Sequence, residues 1–370
     1  MPHYFDHAAT TPMREAAKRI WLEHASALNP GGQYASGRKA RSVLDSAREE
    51  IATLLGCDPI EVIFCASGTE ADNLALQGLW RRSGGTIAAS GIEHPAVLET
   101  VRGLEHQGAA VRWLPVSSKG EVHEFESTIQ GVDLITCMWA NNETGALQPV
   151  QQICDAAGDA PVHVDAVQAV GHVPVDFHAL GATTLAASAH KFGGPRGLGI
   201  LLAKRSPAPS PVLFGGGQER GIRPGTNDVA AAAATAAALK EAVAEMEAES
   251  QRLRSLQTRL LDVVASIENT QIHTPDHCLP GHVHASFLGA EADSLIMLLD
   301  SQGFEASTGS ACSNGVNRAS EVLLSMGVPV ANARSAIRFS LGYTTTTADV
   351  EALIRALPDV VARARLAGMA

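Results

Sequence analysis

Seven short runs of β-branched, aromatic and small apolar residues, at 62–66, 86–89, 111–115, 134–139, 163–165, 184–187 and 199–202, alternate with helix-forming stretches. No other feature restricts the fold as much. Strands joined by helix-length crossovers lie parallel, and a parallel sheet has to be covered by helices on both faces. The pattern predicts a large α/β layer whose ligand site lies beyond the C-terminal ends of its strands. Pro207-Ala208-Pro209-Ser210-Pro211 breaks the rhythm, and a helical stretch rich in Ala, Leu, Met, Glu and Arg follows from Asp228 to about Ser266. It reads as one long helix or a kinked pair bridging two domains. A strand at 283–288, a helix at 291–301, a strand at 336–341 and a last helix from Thr347 then make a smaller α+β unit. The expected division is a large domain over 11–250 and a small one over 251–370, joined by residues 1–10.

A chain of 370 residues with 45% hydrophobic content can bury cores of that size. Its net charge of −11, with acids spread along the chain, argues against a nucleic-acid surface of its own. The first ten residues carry neither a basic nor an apolar leader segment. The longest apolar stretch, 229–239, is alanine-rich and too short to span a bilayer. The expectation is a soluble, cytoplasmic protein without membrane contact. Six cysteines, at 57, 65, 137, 154, 278 and 312, form no CxxC pair, which fits reduced thiols better than a disulfide frame or a zinc ribbon.

Chemistry concentrates where the runs end. Lys191 lies in Ala189-His190-Lys191-Phe192-Gly193-Gly194-Pro195, and it is one of six lysines against twenty-two arginines. A lysine delivered from a strand end into a glycine-rich turn suits a Schiff base, although a surface turn lysine has the same local signature. Twenty-six positions before it, His163-Val164-Asp165 ends another run in a carboxylate. Asp165 suits the ring nitrogen of pyridoxal phosphate, whose protonated ring is an electron sink. A helix N-cap is the alternative. The third element is Ser67-Gly68-Thr69-Glu70, a small-residue turn opening an apolar-periodic helix. Free N–H groups at a helix start, the Thr69 hydroxyl and the close approach allowed by Gly68 suit a phosphate. On local grounds alone, Ser67 or Thr69 as a plain N-cap explains the segment better.

Ser67 to Glu70, Glu93-His94, Asn141-Asn142-Glu143-Thr144-Gly145, His163 to Gln168, Ser188 to Lys191 and Arg223-Pro224-Gly225-Thr226 occur in one order. Together they resemble the cysteine desulfurases of the NifS/IscS type, pyridoxal-phosphate enzymes of the class V aminotransferase superfamily. The resemblance runs from Tyr4-Phe5-Asp6-His7-Ala8-Ala9-Thr10-Thr11-Pro12 to Ile337-Arg338-Phe339-Ser340-Leu341-Gly342. It is most specific in Ser307-Thr308-Gly309-Ser310-Ala311-Cys312-Ser313, which looks like the family's cysteine loop.

The resemblance implies the aspartate-aminotransferase-like fold type I, a large mixed-sheet α/β domain with a smaller C-terminal α+β domain. It further implies L-cysteine as substrate and pyridoxal 5'-phosphate as cofactor. Lys191 would carry the Schiff base and take the Cα proton, Asp165 would face the ring nitrogen, and His94 would stack on the ring. Gly68, Thr69, Ser188 and His190 would hold the phosphate, and Asn142 and Gln168 the ring hydroxyl side, with Asn142 also near the substrate. Arg338 matches the arginine that clamps the substrate carboxylate, a task suited to a planar two-pronged donor; its plain alternative is a surface arginine at a strand end. Cys312 would take the sulfur as a persulfide, leaving L-alanine. Thr226 would reach the phosphate of a neighbouring subunit, which implies a homodimer. The sulfur would pass to an acceptor such as an iron–sulfur scaffold or a tRNA-thiolation enzyme.

Tyr34 stands where family members often carry histidine, and the chain ends at Ala370, where some members continue into a tail that docks a scaffold protein. A selenocysteine lyase or a transaminase would share the fold, and Cys312 argues against the transaminase. A metal-dependent hydrolase built on His163-Val164-Asp165 or His282-Val283-His284 is a rival of another class. Alternating histidines in a strand are more often one exposed and one packed residue. A catalytically silent binding protein is opposed by the presence of Lys191, Asp165 and Cys312.

Overall fold

The computed structural model of the protein describes residues 2–309 and 319–368. A short strand β1 (His3–Tyr4) and two helices, α1 (Glu15–His24) and α2 (Ala35–Leu55), precede the alternating region. There the chain runs β2 (Val62–Cys65), α3 (Gly68–Ser83), β3 (Thr86–Ser90), α4 (Pro95–Glu105), β4 (Ala110–Leu114), α5 (Glu126–Ile129) and β5 (Leu134–Thr136). It continues α6 (Val150–Ala156), β6 (Val162–Asp165), α7 (Phe177–Leu180), β7 (Thr184–Ser188) and β8 (Gly199–Ala203). The seven runs read from the sequence are the seven strands of one sheet, ordered β2-β8-β7-β6-β5-β3-β4. The sheet is mixed: β8 is antiparallel to β2 and β7, and the other pairings are parallel. Strands β2, β5, β6, β7 and β8 are buried along their length, as a sheet covered on both faces requires. The run at 134–139 is a strand only to Thr136, because the chain folds back on itself where Ala140 bridges Leu147.

Helix α8 (Val229–Ser266) is a single unbroken helix of 38 residues, capped by Asp228, whose side chain accepts the Ala231 N–H at 2.9 Å. Its alanine-rich first half packs against α1 and α2. Ala231 to Ala242 belong to the core shared with the large sheet, whereas Leu253, Leu256, Leu260 and Val264 belong to a second core. At 1.5 Å per residue the helix is roughly 57 Å long, so it serves both. The second core lies under a three-stranded antiparallel sheet ordered β12-β10-β9, formed by β9 (Thr270–Ile272), β10 (His282–Phe287) and β12 (Ala336–Ser340). Around it are α9 (Ala292–Ser301), β11 (Phe304–Glu305), α10 (Glu321–Ser325), α11 (Val330–Ala333) and α12 (Thr347–Gly368).

The N-terminal segment closes this second unit. β1 pairs in parallel with β11, and the Ser340 N–H donates to Phe5 O at 2.8 Å. Phe5 is fully buried beside Phe304 and Phe339, a placement that stabilises the docked segment by about 1.5–3 kcal/mol. Its continuation, Asp6 to Thr11, crosses to the large sheet, where Thr11 N–H donates to His190 O at 3.0 Å.

Gly199, first residue of β8, stands in register between Cys65 and Ser188. A Cβ there would lie 2.3 Å from the carbonyl carbon and oxygen of Ser67 and 2.9 Å from Cys65 Sγ. Backbone cannot yield as a flexible side chain would. Gly199→Ala should cost about 1–3 kcal/mol by pushing away the residue that caps α3, and urea unfolding beside the wild type measures it.

Candidate active site

The chemistry gathers at one edge of the large sheet. Asp165 is the last residue of β6 and Ser188 the last of β7, and a single tight turn, Ala189–Lys191, then delivers His190 and Lys191. Beside them β2 ends and α3 begins. Ser67 is the N-cap, its Oγ accepting the Glu70 N–H at 3.1 Å, while the Glu70 carboxylate accepts the Ala66 N–H. Thr69 is exposed in the first turn, whose leading N–H groups have no intrahelical acceptor. Gly68 fits where nothing larger does: a Cβ would lie 2.7 Å from Val167 Cγ2 and 3.3 Å from Ser188 Cβ. The helix start is thus pressed against the ends of β6 and β7, a cradle for an anion.

Lys191 Nζ donates to the carbonyls of Ala8 and, at 3.0 Å, Ala9. Gln168 Nε2 donates to the same Ala8 oxygen at 2.8 Å, and the His172 ring bonds Lys191 O at 3.2 Å. Burial, then the positive charge of Arg338, draws the lysine down to about 8, with Asp165 and Asp6 opposing. Asp165 is buried, and its Oδ1 accepts the Val167 N–H at 2.9 Å. A turn follows it rather than a helix, so it caps no helix. Burial raises its pKa, and His94 and Lys191 pull it back down. His94 caps α4 with Nδ1, which accepts the Ala96 N–H at 3.1 Å, so the neutral ring carries its proton on Nε2. Burial holds its pKa below the usual value, against the pull of Asp165. Three side chains from positions 94, 165 and 191 therefore act on one another electrostatically. An open groove of about 460 Å³ between α3 and α4 has Thr69 and His94 in its lining.

Across the site stands the small sheet. Arg338 lies mid-strand in β12 and is 3% exposed, which disposes of the surface-arginine alternative. Its Nη2 pairs with Asp6 Oδ1 at 2.6 Å and its Nη1 donates to Asn142 O at 2.8 Å. The Asn142 side chain is half-buried. His190 Nδ1 lies 3.1 Å from Thr10 Oγ1. Thr226 is exposed on the loop between Arg223, which binds Glu70 at 3.0 Å, and the cap of α8. Cys312 lies outside the described residues. Glu143 meets the chain on both sides of it: Ser320 Oγ donates to Glu143 Oε2 at 2.5 Å, and a Cβ on Gly309 would touch Glu143 Cγ at 3.3 Å. Burial pushes Glu143 up to about 7, with the Ser320 bond and Arg338 opposing.

The five described cysteines are free, and burial raises every one, Cys57 and Cys154 to about 12. None of the five is a ready thiolate near neutral pH.

Below Asp165 the sequence reading missed a nest of buried acids. Asp72 Oδ1 is 3.2 Å from His163 Nε2, and His163 Nδ1 is 2.9 Å from Thr184 Oγ1. Glu93 Oε1 accepts from Ser90 Oγ and the Met138 N–H, each at 2.8 Å. Burial, then the charge of Asp165, pushes Glu93 up to about 8 and Asp72 well above the carboxylate range. Asp165 alone of the three has cationic groups opposing that rise. Asp6, which holds Arg338, was missed as well; its only sequence signal is membership of the N-terminal motif. The metal-hydrolase rival finds no support in geometry. Among the described residues the one convergent trio of metal-type ligands is Asp58, Glu61 and His178, which includes none of His163, Asp165, His282 or His284.

This fold and edge belong to a recognisable class: the chain is a member of the class-V aminotransferase family, whose profile, Aminotransferase class-V, matches residues 3–353. More narrowly, it is 45% identical over 385 aligned positions to the IscS-like cysteine desulfurase of Mycobacterium tuberculosis, across 99% of this chain and 98% of that protein. A solved NifS-like protein superposes with a TM-score of 0.91 at 32% identity, covering 98% of this chain and all 100% of that one. The structure described as SspA in complex with cysteine superposes with a TM-score of 0.81 at 30% identity, over 91% and 98% of the two chains.

Two titrations test the electrostatics. With Lys191 at about 8, trapping of its free amine by a small aldehyde and borohydride should rise with pH through that value. Arg338→Met removes a like charge and should move the midpoint upward; a wild-type midpoint near 10.5 would contradict the geometry. Glu93 stays protonated in the folded protein to about pH 8, against the usual 4.5 in the unfolded chain. Between those values the folded state holds the extra proton, so stability falls as pH rises. Glu93→Gln should flatten that fall, read as the urea midpoint from pH 5 to 8.

Proposed function

We propose that the protein is a pyridoxal-phosphate-dependent cysteine desulfurase that converts L-cysteine to L-alanine and carries the sulfur as a persulfide on Cys312. The observation that carries this reading is the joint placement of Lys191, Asp165 and His94 at the strand ends beside the α3 cradle. These residues fit the cofactor. Gly68 and Thr69 at the helix start, with Ser188 and His190, would hold its phosphate; Asp165 would face the ring nitrogen, Gln168 and Asn142 the ring hydroxyl, and His94 the ring face. When bound, the cofactor supplies an electron sink that acidifies the substrate Cα–H.

The chain's own residues do the rest. Lys191, with an amine drawn down to about 8, is a base matched to neutral pH and takes the Cα proton. Asp165, whose rise on burial His94 and Lys191 oppose, would set its carboxylate beside a protonated ring nitrogen, while burial pushes Glu93 and Asp72 toward the neutral form beneath. Arg338 binds the substrate carboxylate through its terminal nitrogens. His94, neutral and with its proton on Nε2, can pass a proton on the substrate side. The Cys312 thiolate attacks the substrate sulfur: an S–S bond forms, the C–S bond breaks, and its electron pair stays with the carbon that leaves, protonated, as L-alanine.

The same reading divides the chain into a large domain over 11–250 and a small one over 251–370 joined by residues 1–10, supported by the change of core partway along α8. It also makes the protein a cytoplasmic homodimer in which Thr226 serves the neighbouring site, supported by the exposure of Thr226. A protein acceptor, such as an iron–sulfur scaffold or a tRNA-thiolation enzyme, takes the sulfur. Among the described residues no helix is long and apolar enough to cross a membrane.

Holoenzyme given L-cysteine and a reductant should release sulfide and L-alanine in equal amounts. Lys191→Ala should lose both by at least about 10²-fold, the scale of removing a group that moves a proton. Cys312→Ala should still bind L-cysteine yet form no protein persulfide. Unchanged alanine release by Cys312→Ala, with a persulfide on another cysteine, would overturn the assignment of the nucleophile.

A further inference from the structure

Arg338 and His284 stand side by side on β12 and β10, and His273, one residue past the end of β9, continues the row. His284 is the direct partner of Arg338 in the β10–β12 pairing, and on its other side His273 N–H donates to His284 O at 2.8 Å. Directly opposed residues of an antiparallel pair share a face, with Cβ atoms about 4.5–5.5 Å apart. His282 follows on the same face, opposite Ser340.

The guanidinium has three nitrogens, and two are engaged, by Asp6 and by Asn142 O. Its Nε is buried without a partner, and so are both ring nitrogens of His284. Buried polar atoms are nearly always paired, with protein or with ordered water. Three orphans from two paired residues of one sheet face therefore mark a place organised for something other than packing. Burial, then the neighbouring His273 and Arg338, holds His284 well below the usual imidazole range. Its ring is neutral and offers one acceptor lone pair, while Arg338 Nε–H is a donor that lacks an acceptor. His273 backs the ring: its Nε2 is 2.7 Å from Ser286 Oγ, and the two imidazole centroids are 5.5 Å apart.

We propose that His284 is a positioning residue for Arg338. Its imidazole accepts the Arg338 Nε–H through one bridging water, and so fixes the plane of the guanidinium when a substrate carboxylate takes the terminal nitrogens from Asp6 and Asn142 O. This rests on the reading of Arg338 as the carboxylate clamp.

Steady-state kinetics of the holoenzyme with L-cysteine test it. His284→Phe keeps a ring and removes the acceptor; it should raise KM about tenfold, the scale of one hydrogen bond to a charged group, with kcat within about twofold. His284→Asn restores an acceptor and should return KM to within about threefold of wild type. Arg338→Lys, which has no guanidinium Nε–H, should raise KM by itself, and His284→Phe should add nothing on top of it. Inhibition by cysteamine, which has no carboxylate, should be the same in wild type and His284→Phe. Melting curves identify a variant that fails to fold; His284→Leu then replaces His284→Phe, with the same expectation. If Arg338→Lys raises KM and neither apolar variant does, or if those variants lower kcat and leave KM alone, the positioning role is wrong and the clamp stands. If Arg338→Lys leaves KM unchanged, the clamp itself fails, and the proposal with it.

Discussion

Burial of ionisable groups at the seam between two cores is the constraint on which the rest of this structure depends. A lysine, an arginine and three carboxylates lie where water is largely excluded, and each charge there persists only through its neighbours. Burial raises the Asp165 carboxyl, with His94 and Lys191 opposing the rise, whereas Glu93 and Asp72, without such partners, are pushed toward the neutral form. Lys191 is held near neutrality by desolvation and by Arg338 from the opposite sheet. The small sheet therefore adds, through Arg338, to what burial does to an amine carried by the large one.

The N-terminal segment links the two sides. Its carbonyls at Ala8 and Ala9 receive Lys191, its Asp6 occupies Arg338, and its Ala8 N–H donates to Ser340 Oγ at 2.9 Å. In this state the chain's own groups fill the places that the proposed reaction assigns to an aldehyde and to a substrate carboxylate. Binding is then an exchange of partners in a dry setting rather than the filling of bare charges, which keeps the penalty for unpaired buried groups small.

Much of this was legible in the sequence, for physical reasons that differ by element. The large-sheet strands announced themselves because strands buried on both faces must be short continuous apolar runs, and β7, Thr-Leu-Ala-Ala-Ser, is one. Helix α2 was not read, since its buried positions, Gly37, Ala40, Leu44 and Ala47 among them, are mostly too small to make an apolar stripe stand out among its charges. Lys191 and Asp165 were singled out by strand-end reasoning. Arg338, Asn142, Gln168 and Thr226 entered only through family resemblance, because nothing local distinguishes them. Asp6 and Glu143 were given no role at all, and His284 only that of a ligand in the rival metal site: each is defined by partners far away in the chain, at Arg338, Ser320 and, for His284, across a sheet whose register no local pattern reveals.

The docking of the first residues has a consequence for how the chain is made. His3 and Tyr4 pair with Phe304 and Glu305, Phe5 packs on Phe339, and Asp6 meets Arg338, all more than 290 positions later. On the ribosome these residues emerge well before their partners exist. The large sheet, complete by residue 203, can assemble long before that. Contacts of such separation close late, after the loop-closure entropy of the intervening chain has been overcome. Docking of residues 3–6, and with it the covering of Lys191 by the Ala8 and Ala9 carbonyls, therefore follows assembly of the large sheet.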